Sequence, residues 1–477
     1  MEDPLLLARF QFGLNIGFHI LFPALTIALA WFLLGFRIAY QRTGDAGWLA
    51  TYRLWVKVFA LTFAMGVVTG VVMSFQFGTN WPRFMTTVGA IAGPLLSFEV
   101  LTAFFLEATF LGVMLFGMNR VPDWLHITAT ALVAFGTTVS AFWILALNSW
   151  MQTPAGHVAE AKQWIAADWW AVIFNPSFPY RLAHMLIASG LTASFVVAGL
   201  SAWRLLRDRF DNGARRTLRS GIVVAGLSAW RLLKASTDEA ARDALRTGLL
   251  VAAILTPVQA FVGDQHGLNT LEHQPAKIAA IEALWHSERG APLVLFAIPN
   301  AEMRRNDYAI ELPYGASLIL KHDAHARIEG LDQFRPDHPP VAPVFFAFRI
   351  MVGLGVLMLA VAWYGAWATR KRQVPPPWLL WVFSAFTFAG WAATLCGWIV
   401  TEVGRQPWLV TGVLRTADAV GEVAGAALGA SITGYILTYA TLFVAYMVVL
   451  THLAGAGAEG VDAKPTPTGI AAAKGAS

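Results

Sequence analysis

Nine stretches of this chain, each about 17 to 27 residues, are almost wholly apolar. Inside lipid no water is available to bond backbone N–H and C=O groups, so such stretches must close their hydrogen bonds within themselves, as helices. They fall near 14–36, 54–75, 91–117, 126–148, 180–203, 247–263, 344–368, 378–402 and 430–451. The sixth is the shortest. The expected fold class is therefore all-α, a polytopic membrane bundle of nine transmembrane helices. A composition 57% hydrophobic and 13% charged excludes an ordinary soluble domain.

Basic residues alternate between connections. Arg37, Arg42, Arg53 and Lys57 flank the first; Arg120 lies in the third; Arg204, Arg207, Arg209, Arg215, Arg216, Arg219, Arg231 and Lys234 crowd the fifth; Arg370, Lys371 and Arg372 follow the seventh span. The positive-inside rule then puts the N-terminus outside and the C-terminus inside. The net charge of +5 follows from this bias, with no nucleic-acid footprint. Met1-Glu2-Asp3-Pro4 lacks the basic region of a cleaved leader, so the first span is expected to be retained. A lone cysteine, Cys396, cannot form an internal disulfide.

Four regions result: 1–263 with spans one to six, an outer segment 264–343, 344–452 with spans seven to nine, and a disordered tail 453–477. In the outer segment Ala276 to Trp285 reads as an amphipathic helix. It is either a solvated cap or a docking site for a substrate arriving from lipid. The first region also holds a repeat. Val196 to Leu206 recurs letter for letter at Val223 to Leu233, an offset of 27 residues. The apolar part of the second copy would cover roughly 20 Å, too short to span, so residues 207–233 read as an inner-side duplication without chemistry.

Chemistry concentrates where the eighth span ends, at Gly397-Trp398-Ile399-Val400-Thr401-Glu402-Val403-Gly404-Arg405-Gln406-Pro407-Trp408. A charge within a span is costly and points to function, and Pro407 cannot continue the helix. Measured from the expected span starts, His19, Glu99, His184, Arg349, Met351, Glu402 and Arg405 all fall in the outer part of the membrane. Singly, a buried His or Met is most often a packing residue. Together, two His, one Met and several carboxylates suggest heme ligation with proton handling.

Gln76-Phe77-Gly78-Thr79-Asn80-Trp81, Phe104-Phe105-Leu106-Glu107, Trp150-Met151-Gln152-Thr153-Pro154, Phe346-Ala347-Phe348-Arg349-Ile350-Met351 and Gly404-Arg405-Gln406-Pro407-Trp408 together make the chain resemble subunit I of the cytochrome bd-type quinol oxidases. The resemblance runs from about residue 5 to 451, and the outer loop is of the short type found in the cyanide-insensitive subclass. It implies a low-spin heme b ligated by His184 and Met351. It implies His19 and Glu402 as ligands of two high-spin hemes, a heme b and a heme d or a third heme b in its place. Arg9, Arg349, Trp398 and Arg405 would lie on or beside the hemes. Lys277 and Glu282 match the quinol-binding positions of the outer loop.

Quinol would then be oxidised at the outer face and O2 reduced to water with protons from inside, along Lys57, Glu107 and Ser140 to Glu99. The implied partners are quinol, O2, membrane lipid, a second membrane subunit and often a tiny single-span one, in a bacterial cytoplasmic (inner) membrane. Two rival readings are a proton-coupled secondary transporter, for which no inverted repeat is found, and a b-type cytochrome that only relays electrons from quinol.

Overall fold

The computed structural model describes residues 3–161, 163–220, 238–371 and 374–455. Among these, nine helices are long and apolar enough to cross a membrane: α1 Pro4–Thr43, α2 Ala46–Thr79, α3 Pro82–Phe116, α4 Asp123–Gln152, α5 Phe178–Ser220, α6 Glu239–His273, α7 Val341–Thr369, α8 Pro377–Val403 and α9 Gly425–Gly455. The all-α bundle expected from the apolar runs is the fold observed.

The helices outrun their apolar cores because polar residues cap them. Asp3 accepts from the Leu5 N–H at the start of α1. Gly44, in the left-handed region at φ 68°, ends that helix, and Asp45 then caps α2 through the Gly47 N–H at 2.8 Å. Asp238 caps α6 through Ala241. With that cap α6 is 35 residues long, so the expected short sixth span is corrected. The outer segment begins at Gln274, because residues 264–273 are still helical.

His19 lies 15 residues into α1, roughly 22 Å along it. Glu99 lies 17 residues into α3, at mid-helix. α8 is broken between Ala385 and Ala389.

α5 occupies the centre, with 83% of its apolar window buried, against 12% for α3 and 17% for α9 at the rim. Small residues let it pack closely. A Cβ on Gly248 of α6 would stand 2.6 Å from the Ser194 carbonyl oxygen of α5. At the end of the bundle where α1 stops and α4 starts, the fully buried Arg37 joins the two helices, donating to Asp123 at 2.6 Å and to His126 Nδ1 at 3.3 Å. The first repeat copy, Val196 to Leu206, is part of α5; the second, Val223 to Leu233, lies outside the described residues, as does the tail beyond 455.

The remaining structure lies between helix ends. β1 His157–Glu160 and β2 Gln163–Ala166 form a hairpin after α4. The outer segment holds a short helix Pro275–Ile281 and a hairpin of β3 Leu293–Asn300 with β4 Arg305–Leu312. The expected amphipathic helix 276–285 is corrected on two counts. It stops at Ile281, before Ala283 at φ 50°. Lys277 to Ile281 are all buried, because the helix is wedged against the start of α7 and the end of α8.

Candidate functional site

One polar network joins the start of α1, the end of α4, the start of α5, and the ends of α6 and α8. At its middle, Gln152, the last residue of α4, faces two ways. Its Oε1 accepts from Lys277 Nζ at 2.7 Å, and its Nε2 donates to Glu402 Oε1 at 3.4 Å. Lys277 also donates to Gln274 Oε1 at 2.9 Å and to the Thr401 carbonyl at 3.2 Å. Arg181, at the start of α5, donates to the same Gln274 oxygen at 3.3 Å. Glu402 accepts from Asn148 Nδ2 at 2.8 Å and pairs with Arg405. Arg9 of α1 reaches Gln406 Oε1 at 2.9 Å.

The charges in this network do not balance. Arg181, Lys277 and Arg405 share a single carboxylate, Glu402, while Arg9 bonds Gln406 and has Asp3 as its nearby carboxylate. Burial, with Arg181 and Arg405 nearby, holds the Lys277 ammonium well below the usual lysine range, and Glu402 opposes the effect only in part. Arg9 Nε, Arg181 Nε, and Arg405 Nε and Nη1 are buried without a bonding partner. Buried guanidinium donors are rarely left so, and an anion with several oxygens would satisfy them.

His19 is presented as a ligand by its neighbours. Its Nδ1 lies 2.9 Å from Thr69 Oγ1 on α2, whose own proton is given to the Met65 carbonyl at 2.8 Å. The hydroxyl therefore accepts from Nδ1–H, which leaves Nε2 with a free lone pair. Gly70 makes room, its Cβ position being 3.3 Å from His19 Cε1. His184 on α5 lies edge-on to His266 of α6, ring centres 5.3 Å apart, over Gly263. Met351 on α7 puts its sulfur 3.1 Å from the Cβ position of Gly397 on α8, so a side chain there would press on the sulfur. Helices α5 and α7 both pack on α8. Trp398 is half-buried beside this region.

Arg349 is fully engaged elsewhere. It donates to the Val294 carbonyl at 2.7 Å, to the Ile281 carbonyl and to Glu282 at 3.0 Å, and lies over the Phe345 ring at 3.9 Å. It staples the outer segment to α7. Burial pushes the Glu282 carboxyl up, and the Arg349 charge partly offsets this. Lys277 and Glu282 are thus buried beneath the outer segment, not displayed on its surface.

Deeper in the bundle, Ser140 Oγ of α4 donates to Glu99 at 3.0 Å. One turn further along α4, Gly136 faces Glu107, whose Cγ is 2.9 Å from the glycine's Cβ position. Glu107 is buried, with Oε1 unpartnered. Glu107 lies in a π-helical turn, Ala103–Ala108. Eight residues of plain helix would leave the two carboxylates about 80° apart; one inserted residue brings them to one face. Lys57 is exposed on α2 and is not brought to this pair.

Sequence reasoning missed Thr69, Asn148, Arg181 and Gln274. Arg181 carried a signal, a cation one turn before His184 at the start of a span. Thr69 carried none, since its pairing with His19 exists only once α1 and α2 pack.

The sequence matches the family described as Cytochrome bd terminal oxidase subunit I over residues 7–225 and 216–458. The two matched stretches overlap where the second copy of the repeat begins. The chain is 31% identical over 432 residues to "Cytochrome bd ubiquinol oxidase subunit 1" of Bacillus subtilis (strain 168), covering 87% of this chain and 86% of that protein. It is 29% identical over 527 residues to "Cytochrome bd-II ubiquinol oxidase subunit 1" of Escherichia coli (strain K12), covering 96% and 97%. The structure of bd oxidase from Geobacillus thermodenitrificans is similar with a TM-score of 0.82 at 28% identity, over 94% of this chain and 98% of that one.

Proposed function

The chain belongs to the cytochrome bd terminal oxidase subunit I family, the heme-bearing subunit of a membrane quinol:oxygen oxidoreductase that works with a second subunit, and on that premise we propose that its hemes are seated in the cation-rich network at the outer helix ends. One observation carries this reading: three buried cations against one carboxylate, with unpartnered guanidinium donors. Each heme bears two propionates, the multi-oxygen anions that such donors fit. Bound heme supplies the iron that accepts electrons from quinol and passes them to dioxygen.

The residues divide the work. His184 and Met351 hold a low-spin heme b, which the helix packing of α5, α7 and α8 supports. His19, with Nε2 kept free by Thr69, and Glu402, oriented by Asn148 and Arg405, hold a high-spin heme b and a heme d, or a third heme b in its place. Arg9, Arg181 and Arg405 bind propionates, and Trp398 packs beside them. Arg349 acts through its staple to the outer segment.

Lys277 and Glu282 bind quinol once the outer segment yields the bonds they now make. Protons for oxygen reduction come from the inner side through Glu107 to Glu99, with Ser140 orienting the upper carboxylate. Lys57, exposed on α2, is the inner-side start of that path. The N-terminus lies outside and the C-terminus inside a bacterial cytoplasmic (inner) membrane. A small single-span subunit and lipid complete the surroundings.

The test is the visible spectrum of the purified, dithionite-reduced protein with and without carbon monoxide. Low-spin bands together with a carbon monoxide response are expected. A protein without heme bands would be the transporter, and low-spin bands without a response would mark an electron relay.

A further inference from the structure

The hairpin of β3 and β4 is apolar on the side that nothing covers. Val294 and Ala297 of β3 are buried against Val344, Phe345 and Val400. Leu295, Phe296, Ile298, Tyr308, Ile310 and Leu312 are between 47% and 81% exposed. Phe296 and Ile310 are register partners. Two strands do not shield their own faces, and a patch of this kind marks an interaction surface.

The depth of the hairpin says what covers it. Arg349 lies eight residues into α7, about 12 Å below the helix start. Its guanidinium holds the carbonyl of Val294 from both Nε, at 3.0 Å, and Nη2. The base of β3 is therefore held well down along a membrane-spanning helix. Beside it α7 exposes the apolar side chains of Ile350 and Val352. The turn between the strands carries Glu302, Arg304 and Arg305, all exposed, as suits an end in water. Both signs occur in that turn, so apolar burial and not charge would drive the contact.

We propose that the open face of this hairpin lies in the outer leaflet of the bilayer, as a lipid-immersed ramp beside the buried Lys277–Glu282 segment. The lipid contact stands on the geometry just given. Its use as the entry for long-tailed quinol rests on the reading of Lys277 and Glu282 above.

The test uses the complete oxidase in phosphatidylcholine nanodiscs. A nitroxide is placed at Ile310→Cys or Glu302→Cys in a Cys396→Ser background, whose own signal is subtracted. Collisions with oxygen, which concentrates in lipid, and with a water-soluble nickel chelate are compared. The Ile310 label is expected to meet oxygen and be shielded from nickel, with the reverse at Glu302. Equal nickel access at both positions overturns the proposal. So does shielding of Ile310 from both reagents, which would mean a protein partner covers the face.

For the entry role, Phe296→Glu with Ile310→Glu should raise KM severalfold for a long-tailed quinol in bilayers while leaving turnover of a short-tailed quinol in detergent unchanged. Equal loss with both substrates would defeat that role. If Lys277→Ala alters KM for neither quinol, the quinol reading fails while the collision ratio still decides the lipid contact.

Discussion

The Thr69 hydroxyl, by giving its proton to Met65 and its lone pair to His19, fixes which imidazole nitrogen is available. Thr69→Val should lower occupancy or shift the bands of the heme held by His19, with affinity falling by about 10–100-fold. Thr69→Ser should retain it, since the hydroxyl remains. Heme content per protein and the reduced spectrum give the result. His184→Ala should remove the low-spin signal; a normal low-spin signal in that variant would refute the ligand assignment. At this scale the residues with unusual chemistry in an apolar span were legible in the sequence. Their partners were not. Thr69 and Asn148 are ordinary polar residues until packing brings them against His19 and Glu402.

Among the elements, α3 depends most on a local irregularity. Its π-helical turn swings Glu107 onto the face already taken by Glu99, and Gly136 of α4 leaves the space. Glu107→Gln should depress oxygen consumption and potential generation together, measured in proteoliposomes; no change in either would remove Glu107 from the proton path. Gly136→Leu, which drives a side chain into the Glu107 methylene, should cost on the order of 1–3 kcal/mol through overpacking. A thermal-unfolding comparison with the parent protein reads that cost. The existence of nine spans could be read from hydropathy. Their lengths could not, because caps such as Asp3 and Asp238 carry the helices past their apolar cores. The outer segment was the least readable part, since Lys277 and Glu282 are buried by α7 and α8, far along the chain.

For the whole molecule, the most buried helix is α5, while α3 and α9 leave most of their apolar surface open. The family's second subunit is expected on that open side. Removing 27 residues across the repeat should leave heme spectra and assembly intact, since the first copy already completes the apolar span of α5; loss of the spectrum would show that the second copy is needed. The fold was legible because lipid admits few backbone solutions. The site was legible mainly through motifs, because its network is assembled from five helix ends. That network has a final consequence for how the protein is made. Three cations held around one carboxylate repel one another in the freshly inserted chain, so the bundle is expected to close only when anionic cofactor arrives. Heme supply then acts as quality control: subunit made in heme-starved cells should be recovered in small amount and cut rapidly by protease, and restored by heme feeding.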